Sequence, residues 1–99
     1  MMLYLVCYDI TSDKLRTKLA DKLFLVGLER IQYSIFLGML TDAKRESLNE
    51  WATKLLKNQE DCKFMMLPLN EWTVAGVESA GTEPLDWAYL KGEKLVMFF

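Results

Sequence analysis

The order of apolar and polar positions divides the first part of the chain into a strand and a helix. Residues 3–10 (LYLVCYDI) are apolar on both alternating faces, which is typical of a strand inside a covered sheet. Ser12 and its neighbours then offer side chains that cap a helix, and leucines recur at helical spacing until Gly27. The pattern predicts a central strand followed by a helix that ends at a left-handed glycine.

The middle of the chain predicts two further strands and a second helix. Residues 28–40 return to a two-residue period and, taken alone, predict one long strand. Because this stretch holds no obvious turn sequence, its division into a hairpin near Tyr33 follows only from the fold that the other elements imply. Thr41 and Asp42 can cap a helix whose apolar stripe extends to about Asn58.

The last part of the chain predicts strands and a loop. Residues 61–69 predict a strand, and residues 72–77 predict a shorter one. Small and polar residues at 78–83 predict a surface loop, and the apolar residues 95–99 (LVMFF) predict a docked terminal strand.

Taken together, the elements predict an α+β fold. Strand, helix, strand pair, helix, strand is the order of the ferredoxin-like split βαβ arrangement, an antiparallel sheet with two helices on one face. We expect one domain over residues 1–99, in which residues 78–99 form a tail with a terminal strand.

Composition favours self-association. Of the 99 residues, 52% are hydrophobic, and a chain this short buries only about 60% of its unfolded surface. Because two helices cover a single face of the sheet, the other face needs a partner. The sequence therefore predicts a homodimer.

Charge and cysteine usage exclude several classes of protein. The net charge of -2 excludes a protein that coats nucleic acid through bulk positive charge, so any polyanion must meet a local patch. Cys7 and Cys62 lie in no metal-ligand spacing, which favours reduced core thiols. The apolar start is stopped by Asp9 and is too short for a signal peptide or a membrane span, so we expect a cytoplasmic protein without membrane contact.

Asp9 is the residue that apolar packing does not explain. It follows six apolar positions of the predicted central strand, where it is either a metal-binding carboxylate or a turn residue that accepts backbone N–H bonds. One carboxylate makes a poor magnesium site, but in a two-fold dimer both copies of Asp9 could share a cation with several waters. The chain contains no histidine, so a hydrolase built on it would need a metal ion to generate its nucleophile.

A basic cluster adjoins this carboxylate. A solvated helix face is the ordinary interpretation of such residues, but their position beside Asp9 favours contact with a nucleic-acid backbone. The candidates for phosphate binding are Lys14, Arg16 and Lys18 on the first helix and Arg30 at the start of the next strand.

These motifs resemble a known family. Residues 8–10 (YDI), the basic helix with Arg16 and residues 30–36 (RIQYSIF), together with residues 64–69, are similar to the CRISPR-associated Cas2 endonucleases over nearly the whole chain. The resemblance implies a ferredoxin-like homodimer in which the strand-one aspartates of both subunits meet near the two-fold axis and bind a divalent cation. Asp9 matches that position.

The resemblance also implies partners and an activity. It predicts a nuclease that depends on Mg²⁺, or on another divalent cation such as Mn²⁺, and that cleaves RNA or double-stranded DNA. It further predicts an adaptor that assembles with the Cas1 integrase during spacer acquisition.

Four functional hypotheses remain open at this point. The first is a metal-dependent phosphodiesterase in which Asp9 is both catalytic residue and metal ligand, while the basic cluster holds single-stranded RNA or double-stranded DNA. The second is a non-catalytic DNA-binding scaffold of the integrase complex. The others are a regulatory domain that binds a small molecule and a toxin-type ribonuclease of related fold.

Overall fold

The computed structural model describes residues 1–78 and Ala80. The predicted terminal strand at 95–99 and the tail beyond residue 80 lie outside the described residues, as does most of the predicted loop at 78–83. The described elements are β1 (Met2–Ile10), α1 (Asp13–Leu25), β2 (Glu29–Gln32), β3 (Ile35–Leu40), α2 (Asp42–Leu56), β4 (Cys62–Leu69) and α3 (Glu71–Ala75).

The four strands form one sheet in the order β2-β3-β1-β4, and all neighbouring strands are antiparallel. Strand β1 lies inside the sheet, where Val6 is paired with Phe36 of β3 on one side and with Met66 of β4 on the other. Each half of the chain crosses from strand to strand through a helix. This is the predicted ferredoxin-like split βαβ topology.

Helices α1 and α2 cover one face of the sheet. Even-numbered residues of β1, from Tyr4 to Ile10, point to this face and form one buried cluster with both helices. Leu19 and Leu23 of α1 are fully buried, and Leu48 of α2 is 1% exposed. Burying each such leucine contributes about 1.5–3 kcal/mol, so this face supplies most of the core.

The predicted capping residues are confirmed. The Ser12 hydroxyl accepts a hydrogen bond from the Leu15 amide at 3.3 Å, and Thr41 accepts one from Lys44 at 3.2 Å. Gly27 follows α1 with a left-handed φ of 96°. The two side-chain hydrogen bonds satisfy amides at the helix ends and fix the starts of α1 and α2.

The hairpin at residues 33–34 is also confirmed. Strand β2 ends before this turn and β3 begins after it, although the sequence alone predicts one continuous strand. The pairing of β2 with β3 shifts register between Arg30 and Gln32. Such a bulge twists the strand end and redirects its side chains.

One predicted strand is wrong. Residues 72–77 do not form a strand, because Glu71–Ala75 is the short helix α3. The Asn70 side chain accepts a hydrogen bond from the Thr73 amide at 2.9 Å and so starts the helix. Val74 is 1% exposed and packs on Leu3 and Leu37, so burial and capping outweigh the strand propensity of this segment. Within the described residues, no helix is long and apolar enough to cross a membrane.

Candidate nucleic-acid and metal site

Asp9 lies near the carboxyl end of β1 and is exposed. It precedes the helix cap Ser12 by three residues, and its side chain makes no hydrogen bond or ion pair with any residue that the structure describes. Strand alternation places it on the face opposite to the helices, beside the Lys63 position of β4. The carboxylate is therefore available to a ligand or a partner chain.

The surroundings of Asp9 do not complete a metal site within one chain. Among residues 1–78 and Ala80, no group of three histidine, cysteine, aspartate or glutamate side chains could hold a metal ion. Mg²⁺ requires octahedral oxygen coordination, to which a single carboxylate contributes too little. The donor set fits a divalent cation only if a second carboxylate comes from outside this chain.

The sheet face that carries Asp9 is apolar and partly uncovered. Helix α3 packs at the Leu3 end of this face, whereas the Asp9 end has no covering element among the described residues. Met65, paired with Cys7, is 53% exposed. Cys7 is a free thiol here and is only half-buried in the single chain, as is Cys62 on the helix side. We call this surface the open face; its residues are Leu5, Cys7, Ile35, Met65 and Leu67.

Arg16 is tied to the end of β1. Its Nη1 donates hydrogen bonds to the carbonyl oxygens of Ile10 and Thr11, both at 2.8 Å, and its Nη2 pairs with Asp13. The Arg16 side chain is 25% exposed, and its buried Nε has no partner among the residues that the structure describes. These contacts join the residues after Asp9 to the first turn of α1.

Arg30 is held differently, by the faces of three aromatic rings. Its guanidinium carbon lies 5.0 Å from the ring centre of Phe36, 5.4 Å from Phe24 and 5.8 Å from Tyr33. It makes no ion pair within the described part of the chain. Cation–π contacts leave the N–H groups free to donate, so Arg30 can bind an anion.

Lys14 and Lys18 are exposed on the outer side of α1. They line a shallow groove with Thr17 and with the carboxylates of Asp13 and Asp21. Two ammonium groups and two carboxylates offset one another in this groove, so its local charge is weaker than the lysine spacing alone suggests.

The structure brings Arg16 and Arg30 together around Tyr33. Their guanidinium carbons lie 6.0 and 5.8 Å from the centre of the Tyr33 ring. The space between them, which we call the arginine cleft, has a volume of about 220 Å³ and is lined by Tyr8, Arg16, Thr17, Ala20, Asp21, Phe24, Arg30 and Tyr33.

Sequence analysis identified both arginines as candidates but not Tyr33 or Asp21. An aromatic residue at the apex of a hairpin is the signal that could have found Tyr33. That signal exists only once the hairpin has been placed.

Comparisons with known proteins cover this whole region. The family described as CRISPR associated protein Cas2 matches residues 2–76. A CRISPR-associated endoribonuclease Cas2 of Synechocystis is 36% identical over 85 residues, which are 86% of this chain and 90% of the relative. A second, from Archaeoglobus fulgidus, is 43% identical over 65 residues, which are 66% of this chain and 69% of the relative.

A solved structure agrees with the sequence comparisons. A chain in a partial Cas6-RT-Cas1–Cas2 complex superposes with a TM-score of 0.70 at 28% identity, over 87% of this chain and 98% of that one. The matched residues 2–76 include all four strands, Asp9 and both arginines of the cleft. The chain belongs to the CRISPR-associated Cas2 family.

Proposed function

We propose that the chain is a nuclease and adaptor of CRISPR spacer acquisition, which works as a homodimer on RNA or double-stranded DNA and assembles with the Cas1 integrase. The observation that carries the proposal is the exposed carboxylate of Asp9, which has no partner among the described residues and lies at the end of an apolar sheet face that they leave uncovered. The printed names of the relatives, endoribonuclease Cas2, support the activity, and the complex that contains Cas1 and Cas2 supports the partner.

The dimer follows from the open face. A two-fold interface uses the same patch on both copies, so an apolar patch on one copy meets its own equivalent. Packing open face on open face removes Met65 from water, and a two-fold axis that passes beside Asp9 brings its two copies together. Two carboxylates then approach each other, which is costly unless a cation lies between them.

Mg²⁺, or Mn²⁺ in its place, fits such a pair of Asp9 carboxylates, and would supply positive charge for a phosphate and an activated nucleophile. The chain's own residues have separate tasks. Arg16 fixes the backbone after Asp9, and Arg30 offers free N–H donors to phosphate oxygens. Lys14 and Lys18 contribute weaker, solvent-screened contacts to the nucleic-acid backbone.

The test is cleavage of labelled duplex DNA and single-stranded RNA over a series of pH values, with Mg²⁺ and with chelator. In Asp9→Asn, which keeps the side-chain volume, we expect cleavage to fall by more than the roughly 10- to 100-fold loss typical of an outer-shell partner. Glu50→Gln, an exposed carboxylate on α2, is the matched control and should cut normally.

Two results would contradict a metal-dependent nuclease with its site at Asp9. One is cutting that persists in chelator, and the other is equal cutting by wild type and Asp9→Asn. If the wild type binds duplex DNA but cuts nothing at any pH, the chain is instead a scaffold for the integrase. The structural match to a chain inside an assembly favours that function as the second candidate.

A further inference from the structure

We propose that the arginine cleft binds one unpaired nucleotide, whose base stacks on Tyr33 and whose phosphate contacts Arg30. The inference rests on the proposed function, because it requires that the chain bind nucleic acid. It adds a substrate feature, an unstacked base, at a position separate from Asp9.

Tyr33 has the properties of a stacking platform. Tyr33 is 69% exposed and lies at the tip of the β2–β3 hairpin. Both guanidinium contacts to the ring are at 5.8–6.0 Å, near the outer limit of cation–π attraction, and leave most of the ring open. Phe24, 50% exposed, extends the apolar wall of the same cleft. Exposed aromatic rings beside arginine are the usual means by which proteins hold single-stranded bases.

The two arginines contribute unequally. Arg16 already donates to two backbone carbonyls and pairs with Asp13, so it forms a fixed wall of the cleft. Arg30 rests on three rings and makes no ion pair within the described residues, so its donors are free for a phosphate. The phosphate of the nucleotide therefore belongs at the Arg30 side.

Asp21 argues for a base rather than a second phosphate. Its carboxylate lines the cleft, where it would repel an anion but can accept a hydrogen bond from a base N–H group. The volume of about 220 Å³ is below the roughly 300–1,000 Å³ of sites for drug-sized ligands. A single base matches both the size and the polarity of the space.

The cleft stays accessible in a dimer built on the open face. Tyr8 and Phe24, which line it, pack on the helix side of the sheet through Phe36. Asp9 and the open face lie on the other side. A strand bound across the dimer could thus place an unpaired nucleotide in the cleft without disturbing the interface.

The experiment measures the affinity of the full-length protein, in chelator to prevent cutting, for two labelled probes with equal numbers of phosphates. One is a single-stranded RNA that carries 2-aminopurine, and the other is a blunt DNA duplex. In Tyr33→Ala we expect about ten-fold weaker binding of the single strand, as for one lost stacked base, and unchanged binding of the duplex. Tyr33→Phe keeps the ring and should bind both probes normally.

Trp72→Ala is the matched control, because this ring on α3 is 84% exposed and does not line the cleft. It should leave both affinities unchanged. The 2-aminopurine fluorescence should be quenched by stacking in the wild type and not in Tyr33→Ala.

Equal affinities of wild type and Tyr33→Ala for the single strand would overturn the proposal, and so would an equal loss for both probes. If Tyr33→Ala instead loses only capture by the integrase, the cleft is a protein-docking site and the proposal is wrong. If the wild type binds neither probe, the proposed nucleic-acid function is wrong, and the proposal for the arginine cleft is wrong with it.

Discussion

Arg16 illustrates how a single residue can serve a site without contacting its substrate. A guanidinium presents several donors in a fixed plane, and here two of its hydrogen bonds end on consecutive backbone carbonyls, those of Ile10 and Thr11. The position of Asp9, one residue earlier, depends on this backbone. We therefore propose that Arg16 is a positioning residue, whereas its contact with phosphate stays a prediction from the sequence.

Arg16→Lys separates these two roles, because lysine keeps the charge but cannot reproduce the planar pair of donors. We expect the free energy of unfolding to fall by about 1.5–3 kcal/mol, the contribution of a charged hydrogen bond. Cleavage should fall through kcat, while affinity for duplex DNA changes less than about two-fold. Urea unfolding, binding and single-turnover kinetics measure the three quantities.

Lys18→Gln, on the exposed side of α1, serves as the control for lost or altered charge and should leave stability unchanged. If Arg16→Lys keeps full stability but loses affinity, the direct phosphate contact predicted from the sequence is correct and the positioning role is wrong.

Single residues differ in how far the sequence reveals them. Asp9 could be selected because it interrupts an apolar pattern, and Arg30 because it opens the next strand beside the basic helix. Tyr33 could be selected only after the hairpin had been placed, because an alternating pattern gives an aromatic residue at a turn the same appearance as one in a strand. The hydrogen bonds from Arg16 to the backbone could not be predicted from the sequence, because they depend on where two carbonyl oxygens point.

At the scale of elements, the contact between β3 and the loop before β2 is unusually close. A Cβ atom added at Gly38 would lie 2.6 Å from the Leu28 Cδ2 atom and 3.2 Å from its Cα atom. Leu28 is 3% exposed, so its side chain has little room to move away. Glycine at position 38 is what allows the chain to close this corner of the sheet.

Gly38→Ala should accordingly lower the free energy of unfolding by about 1–3 kcal/mol, the usual cost of overpacking. Gly76→Ala is the matched control, because its added Cβ would meet only the carbonyl oxygens of Trp72 and Thr73, at 3.6 and 3.8 Å. Urea unfolding of both variants is the measurement. If the two variants are equally stable, the Leu28 side chain can move away from the added methyl group without a loss in the free energy of unfolding, and the prediction is wrong.

Most elements were predictable, and the exception has a local cause. Regular periodicity and capping side chains located β1, β4 and both long helices, to within two residues at the end of α2, whereas the division between β2 and β3 followed from the fold. Helix α3 was missed because its five residues are too few to show helical periodicity, and tryptophan, threonine and valine favour strands. The capping residue Asn70 was the one sequence signal that could have predicted the start of this helix.

On the scale of the whole molecule, the open face is the surface on which the proposed homodimer would form. Its apolar side chains are only partly covered within the described residues, while the helix face is closed by α1 and α2. The two-layer fold was predictable from the order of elements, but the position of α3 on the second face was not. That helix confines the uncovered apolar surface to the end of the sheet that carries Asp9.

Met65→Glu should convert a dimer to a monomer, because it would place two uncompensated charges in the proposed interface. Leu25→Glu is the matched control, since Leu25 is 79% exposed at the end of α1, on the helix side. Sedimentation velocity of wild type and both variants gives the masses. A wild-type mass in Met65→Glu, or dissociation in Leu25→Glu, would exclude the open face as the interface.

The alternation of β1 has a thermodynamic consequence. Tyr8 lines the arginine cleft, and its chain neighbour Asp9 points to the opposite side of the sheet. A single stretch of backbone, anchored by Arg16, therefore supports both surfaces. If occupancy of one surface shifts this stretch and changes affinity at the other by some factor, linkage requires the reverse effect to have the same factor. The end of β1 is thus the place where such a coupling would act, with equal strength in both directions.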